Sequence, residues 1–311
     1  MKKELFKNFS KDTADLPFCL QYDWWNEVVQ ENWEVAVVEN QGEVKAIWPY
    51  TIAKTAGFTQ LRSADFTPYV GPFIIYPPGQ KNHRKYSYER KILEDLLEQL
   101  PAFHSFEQNS HLELHNVLPL IWKGWKQSVR YTYIIDDLSD LESVYSGFAD
   151  NIRREIKKAE KEVLVEESKK IAPVLTMMQS SYAAQGLIMN IKKSIFENIE
   201  NYFIQHSCGK IFFAKNQQGN TIAAIAIVWD HKSAYYLMGG ADMVFKNSGA
   251  MSLLMWKAIQ FSSTKVNSFN FEGSMIPNVE RFFRGFGGDL TPFHHLSCSK
   301  SNLLRLLKRL K

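Results

Sequence analysis

Phe269-Asn270-Phe271-Glu272-Gly273-Ser274, followed closely by Arg281-Phe282-Phe283-Arg284-Gly285-Phe286-Gly287-Gly288, is the stretch on which the reading of this chain turns. Apolar and polar residues alternate from Phe269, which predicts a short strand that delivers a carboxylate, a glycine and a serine to its end. A turn follows, then a short basic and aromatic helix that stops at a run of glycines. Upstream, Met238-Gly239-Gly240-Ala241 leads through Asn247-Ser248-Gly249-Ala250 into a helix over 249–262 that enters the strand. The block reads as one wall of an active site.

Working back from this block, residues 210–214, 222–229 and 233–238 read as antiparallel strands, the first two joined by a turn at Gln217-Gln218-Gly219. Helices are predicted over 171–184 and 192–206. A further one spans 148–161, where Phe148, Ile152, Ile156, Ala159 and Val163 fall on one helical face. Its remaining face carries Arg153, Arg154, Lys157, Lys158 and Lys161. Such a face is either a solvated helix surface or a contact for phosphate or RNA, since clustered cations suit polyanions.

In the first half, 22–32 reads as an amphipathic helix, and 33–38 and 44–52 as strands around an Asn40-Gln41-Gly42 turn. Residues 67–75 form a strand punctuated by Pro68, Gly71 and Pro72, a pattern of edges, bulges or close ligand approach. A helix over 88–100 follows, then short strands at 104–106 and 112–115, the aromatic segment Trp122-Lys123-Gly124-Trp125, and a strand over 130–135. Residues 136–139 are a natural break. The end, Leu303-Leu304-Arg305-Leu306-Leu307-Lys308-Arg309-Leu310-Lys311, reads as a final helix that packs on its own domain or touches an acidic membrane surface.

The two halves repeat weakly. Each has a strand, a Gly-containing hairpin and a second strand, then a helix entering a strand, then a Pro-initiated aromatic segment: Pro119 through Trp125 parallels Pro277 through Phe286. This order predicts a mixed α/β protein with largely antiparallel central sheets, built of two copies of one unit over 1–136 and 137–311.

The hairpin of strands, the strand leading into a helix, and the strand with a carboxylate at its end look like the GNAT acyltransferase unit. Two such units resemble the FemAB/FemX family of peptidoglycan aminoacyltransferases. The resemblance is carried by Thr67 through Pro72, by 151–161, by Asn247-Ser248-Gly249-Ala250 with Leu253 through Ile259, and by Phe269 through Gly288. It implies a tandem GNAT-like fold whose second unit holds the reacting groups. It also implies transfer of an acyl or aminoacyl group to an amine on a small-molecule or nucleotide-linked substrate in the cell envelope or polysaccharide metabolism. The donor is acyl-CoA in ordinary GNAT proteins and aminoacyl-tRNA in the cell-wall enzymes. Phe283 stands where the cell-wall enzymes usually place a lysine, which favours acyl-CoA or another small donor over aminoacyl-tRNA. The segment Phe245 through Ala250 keeps only part of the GNAT pyrophosphate turn. That leaves room for a non-catalytic protein that binds a nucleotide-sugar or polysaccharide precursor.

Amide formation needs a neutral amine, hence a base, and donors for a developing oxyanion. Glu272 is the candidate base or ammonium anchor, against the plain reading of a surface carboxylate opening a turn. Arg281 and Arg284 could hold phosphate or carboxylate by paired hydrogen bonds, with Phe282 and Ser274 beside them, or could form a solvated helix face. Asn247, Ser248, Gly249 and Ala250 could make an anion site at a helix N-terminus for a cofactor, or cap the helix. Tyr69, Arg62 and Asp65 are the acceptor-side candidates in the first unit. RNA, if it binds, would meet Arg153, Arg154, Lys157 and Lys158.

A formal charge of +4 over 311 residues, with 45% hydrophobic and 23% charged content, is that of an ordinary globular protein. Cys19, Cys208 and Cys298 are far apart, which supports neither a disulfide framework nor a zinc site. His294-His295 on a strand would face opposite ways, so no metal is expected there. Neither an apolar leader nor a spanning apolar run is evident, which points to the cytoplasm. No Ser/His/Asp set, P-loop or Gly-x-Gly-x-x-Gly is present, and Gly57 and Gly147 read as turn or loop residues.

Overall fold

The computed structural model describes residues 1–301, so the basic tail read over 303–311 lies outside the described residues. In chain order the elements of the first half are α1 (Lys2–Asp12), β1 (Trp33–Asn40), β2 (Glu43–Thr55), β3 (Phe58–Arg62), β4 (Phe73–Ile74), α2 (Asn82–Glu98), β5 (Ser105–Asn109), α3 (Leu118–Trp122) and β6 (Lys126–Ile135). Then come α4 (Leu141–Ser146), α5 (Asp150–Glu162), β7 (Leu164–Ser168), α6 (Ala172–Ala184), α7 (Lys193–His206), β8 (Gly209–Lys215), β9 (Thr221–Trp229), β10 (Ser233–Ala241), α8 (Ala250–Ser262), β11 (Ser268–Asn270), α9 (Pro277–Arg284) and β12 (Asp289–Ser299).

The chain divides into two compact units: Met1–Arg130 together with the chain from Pro292, and Tyr131–Thr291. This differs from the expected boundary at 136/137, and from the assignment of the C-terminus to the second unit. The reason is strand pairing. Tyr131–Ile135 of β6 line up beside β11, with Phe269 opposite Ile135 and Asn270 opposite Ile134. The end of β12 instead pairs with β5, His295 through Ser299 against Asn109 through Ser105.

In the first unit the strands run β1-β2-β3-β5-β12, with β4 on the side of β2. The β1–β2 turn sets both Gln41 and Gly42 at positive φ, 54° and 83°, the left-handed geometry that matches strand twist in a two-residue hairpin. Ala56 and Gly57 do the same between β2 and β3. β3 and β5 are parallel. Trp48, Phe106 and Trp125 form the aromatic centre of this core with Leu93 and Leu96 of α2.

Three expectations change here. Of residues 67–75 only Phe73–Ile74 pair as a strand, because Pro68 and Pro72 lack the N–H a ladder needs. Residues 112–115 form no strand. The helix expected over 22–32 is a single wide turn, Trp24–Val29, ending where Gln30 turns to a φ of 58°.

The second unit has the order β6-β11-β10-β9-β8-β7. As in the first unit, a hairpin of two antiparallel strands is followed by a third strand, then a parallel partner, then an antiparallel closing strand. The predicted repeat is therefore present as a repeat of topology. The helices expected over 148–161, 171–184, 192–206 and 249–262 are found within about two residues, as apolar periodicity allows. α5 buries Ile152, Ile156 and Ala159, the face its spacing defined, against a core that includes Phe148, Leu253, Trp256 and Phe286.

Candidate active site

β10 and β11 pair in parallel over only three residues, Ser233 to Tyr235 against Ser268 to Asn270. Beyond Asn270 the strands part. β10 continues with β9 as far as Ala241, through a register shift between Tyr236 and Met238. Such a bulge adds a residue and bends its strand. The parting leaves an unpaired strand edge inside the unit, and Glu272 and Tyr236 sit there.

The turn after β11 is built by side chains from β6. Asn270, itself buried, accepts the Thr132 hydroxyl hydrogen bond at 2.7 Å and the Glu272 N–H at 2.8 Å on its amide oxygen. The Phe271 N–H donates to the Tyr133 carbonyl at 3.0 Å. Glu272 is held at a φ of 57°, a left-handed conformation costing a side-chain-bearing residue about 1–2 kcal/mol. Gly273 follows at a φ of 68°, and a Cβ there would lie 2.1 Å from the Tyr131 carbonyl oxygen. Only glycine lets the chain cross β6 so closely.

This turn aims the Glu272 side chain inward. Its Oε1 is sealed from solvent and has no hydrogen-bond partner among the described residues. Burial pushes the carboxyl well above its usual range, and no cation among the described residues offsets it. The Tyr236 phenol is likewise pushed up, first by burial and then by the negative charge of Glu272. The two groups therefore lie within electrostatic reach of each other in the same buried, low-dielectric region. The Tyr236 ring runs back over Gly239, where a Cβ would meet its hydroxyl at 2.5 Å. The hydroxyl makes no hydrogen bond to any described residue and is free to donate to a ligand.

α9 closes one side. Phe283 packs edge-on against Tyr236 with ring centroids 5.5 Å apart, and Phe271 contacts both Phe283 and Phe286. Phe282 is partly buried beside them. The glycines that stop α9 serve packing: a Cβ at Gly285 would meet Ile152 of α5 at 2.7 Å, and one at Gly287 would meet the Gly147 carbonyl at 2.5 Å. Gly147 is thus a contact point for the site's wall, beyond the turn role read from sequence.

The sequence candidates occupy different surroundings in the structure. Glu272 lies at the centre. Arg281 and Arg284 occupy the exposed face of α9; Arg284 pairs with Glu280 at 3.2 Å, and Glu280 also accepts the Tyr133 hydroxyl hydrogen bond. The Ser274 hydroxyl accepts the Ile276 N–H and so helps start α9.

Asn247-Ser248-Gly249-Ala250 lead into α8, but that helix start is already occupied. Gly249 has a φ of 76°, and a Cβ there would meet the Glu155 carbonyl at 2.4 Å. The Glu155 carboxylate accepts from Ser252 in the first turn of α8 at 2.6 Å, which places a protein anion where the helix dipole favours one. The Ala250 N–H is taken by Ser248, and Lys158 donates to the Asn247 carbonyl.

Of the basic residues on α5, Arg153 is tied to Asp150 and the Ser146 carbonyl, while Arg154 and Lys157 point outward unpaired among the described residues. In the first unit, Tyr69 is buried with its ring edge-on to Phe293 at 5.1 Å. Arg62 and Asp65 line a polar cavity of about 430 Å³ with Glu107, Asn109, Arg130 and His295. His295 contacts Asn109 and Glu107, and His294 contacts Gln127, so the two imidazoles do face apart.

Tyr236, Asn270, Thr132 and Glu155 were not singled out by sequence reasoning. The Gly239-Gly240 pair was the available sign of Tyr236, since glycines inside a strand mark close approach. The contacts of Thr132 with Asn270 and of Glu155 with Ser252 span 138 and 97 residues, beyond any local pattern.

Residues 146–273 match the family model described as an acetyltransferase (GNAT) domain. The match ends on Glu272 and Gly273 and takes in β9, β10, α8 and β11. No curated protein sequence matches. Among solved structures, FemX superposes with a TM-score of 0.69 at 13% identity, covering 99% of this chain and 98% of its own. The C-terminal domain of a protein assigned as a lysylphosphatidylglycerol synthetase from Agrobacterium fabrum gives 0.56 at 12% identity, covering 100% and 95%. A tandem GNAT protein from the clavulanic acid biosynthesis pathway gives 0.52 at 9% identity, covering 96% and 94%. Residues 146–273 are therefore similar to a GNAT-type acetyltransferase domain, and the chain has, end to end, the fold it shares with FemX and with the tandem GNAT protein.

Proposed function

We propose that the protein is an N-acyltransferase that moves an acyl or aminoacyl group from an activated donor to an amine acceptor of the cell envelope, with Glu272 as the proton-transfer group. The observation that carries this reading is the buried, unpartnered Glu272 carboxyl held in a left-handed turn where β10 and β11 part. Strained backbone and a carboxyl with a raised pKa in one pocket are a costly combination that functional sites retain.

In the reaction the Glu272 carboxylate accepts a proton from the acceptor's ammonium group. The freed amine attacks the donor's carbonyl carbon, and the resulting oxyanion takes the Tyr236 hydroxyl hydrogen bond. Glu272 passes that first proton to solvent and takes the second from the nitrogen of the tetrahedral adduct; collapse then expels the donor's leaving group, which departs with this proton from Glu272 and leaves a neutral amide. A base whose pKa is raised above an ordinary glutamate's holds a proton more firmly and so suits both halves of this cycle. Phe271 and Phe283 keep the pocket apolar, which strengthens each of these interactions.

The finer choice of donor rests on two features. The Glu155 carboxylate at the start of α8 disfavours a pyrophosphate gripped there in the usual GNAT manner, and Phe283 replaces the lysine of the cell-wall enzymes. We favour an acyl thioester whose reactive end enters the parting of the strands and whose phosphates lie elsewhere. An RNA-borne donor would be met by Arg154 and Lys157. Purified protein given acyl-CoA thioesters, or a charged tRNA pool, with amine acceptors tests the reading. Transfer that is lost in Glu272→Gln supports it. Transfer at the wild-type rate in that variant removes Glu272 from the chemistry. Stabilisation by sugar nucleotides without any transfer favours a binding protein.

A further inference from the structure

Three loops of the second unit carry neighbouring large apolar side chains into solvent. Leu187-Ile188 follow α6, with Ile188 87% exposed; Met243-Val244 follow β10, with Val244 83% exposed; and Met275-Ile276 lie between β11 and α9, both more than half exposed. Single exposed apolar residues are ordinary, but adjacent pairs in three separate loops are not.

The topology brings the three loops to one end of the unit. β10 and β11 are parallel, so the chain leaves both in the same direction, into Met243-Val244 and Met275-Ile276. α6 is fastened along β10: the Ser181 hydroxyl bonds both the N–H and the carbonyl of Ala241, and Gly240 lies against the Met177 backbone. Going from Met177 to Ser181 on α6 thus follows β10 to its end, and Leu187-Ile188 emerge just beyond. This is the end at which Glu272 sits.

Charge around the tips is of one predominant sign. Lys192, Lys193, Lys246, Arg281 and Arg284 belong to these segments and are exposed, against the carboxylates of Asp242, Glu197 and Glu280. Asp242 is turned back to cap the Val244 N–H, Glu197 pairs with Lys193, and Glu280 is held by Tyr133 and Arg284. Lys192 has a partner within the protein, so the cations of these segments presented without one among the described residues are Lys246 and Arg281.

We propose that these three loop tips dock the second unit on an anionic lipid bilayer, inserting their apolar pairs into the headgroup boundary with the cations over the lipid phosphates. Apolar tips of short loops flanked by exposed cations fit the chemistry of interfacial binding. A protein partner would instead be matched by one continuous patch with a packed centre. Docking in this way turns the Glu272 end of the unit toward the bilayer, so that an amine carried on a lipid meets that end without leaving the surface. The inference rests on exposure and topology, and its test reads vesicle binding, so it stands or falls separately from the transfer chemistry.

The full-length protein is sedimented with phosphatidylcholine vesicles, with and without phosphatidylglycerol. We expect binding that needs phosphatidylglycerol and weakens as salt rises. Ile188→Asp, Val244→Asp and Ile276→Asp should each lower the partition coefficient by about tenfold, as loss of one buried apolar side chain implies. Leu164→Asp, at an apolar site on β7 about as exposed as Ile276, should leave it unchanged. Melting curves identify any variant that fails to fold, and the other two then carry the test. Absence of wild-type binding, or equal binding by the tip variants and wild type, overturns the proposal. So does self-association in place of vesicle binding, if the same substitutions abolish it.

Discussion

Glu272 combines features that are unfavourable one by one: a left-handed backbone and, among the described residues, neither a hydrogen-bond partner for one carboxyl oxygen nor a compensating cation. Its effect on stability has a defined sign. Its folded pKa is raised well above 4.5, so between that value and the raised one the folded state holds a proton that the unfolded state has released. Stability from this group is therefore complete at low pH and declines as pH rises through that window. Glu272→Gln, neutral at every pH, should melt at a higher temperature than wild type near pH 8, with the difference vanishing near pH 4; scanning calorimetry across that range checks it. Tyr236→Phe removes the proposed oxyanion donor while keeping the ring against Phe283. It should lower kcat by about 100-fold with KM little changed, the pattern of a contact made in the transition state. Glu272 was legible in the sequence because a carboxylate and a glycine closed a short alternating strand. Tyr236 was not, because its position depends on a bulge and on where the pairing with β11 stops.

The elements explain why the site's supports were harder to read than its centre. Periodicity located α5, α6, α7 and α8 well, since each buries one face or is buried throughout. It missed α1 altogether, a mostly polar helix that buries only Phe6. It also missed β3, whose five residues begin directly after a two-residue turn. The start of α8 illustrates the same limit. Asn247-Ser248-Gly249-Ala250 could serve an anion or a cap on sequence grounds, and the choice depends on α5, nearly a hundred residues earlier, bringing Glu155 to it. Gly249→Ala should cost about 2 kcal/mol or more, because the left-handed backbone and the Glu155 carbonyl both exclude a Cβ. The same cost applies to Gly273→Ala against the Tyr131 carbonyl, with loss of transfer as well, since that turn aims Glu272. Chemical denaturation of the two variants measures the first effect; activity separates them.

At the scale of the whole molecule, the repeat visible in the order of hairpins and helices is a repeat of sheet topology. What the sequence concealed is where each unit ends. A composition break at 136–139 suggested a boundary, yet the strand just before it, Tyr131–Ile135, is the antiparallel neighbour of β11. No local signal distinguishes a strand that closes its own unit from one that pairs elsewhere. A fragment over 131–291 should accordingly fold cooperatively. One beginning at residue 137 exposes an edge of β11 and removes Thr132 and Tyr133 from the Glu272 turn, so it should aggregate or melt broadly. Circular dichroism of the two fragments decides this.

The central claim is that Glu272 moves the proton in an acyl transfer to an amine. The most direct measurement is the pH dependence of kcat/KM for acylation of an amine acceptor, by wild type and by Glu272→Gln. The account predicts that wild-type kcat/KM rises with pH through a value well above an ordinary glutamate's, and that Glu272→Gln loses about 100- to 10,000-fold together with that inflection. A variant that keeps the wild-type rate, or the wild-type inflection, would contradict it.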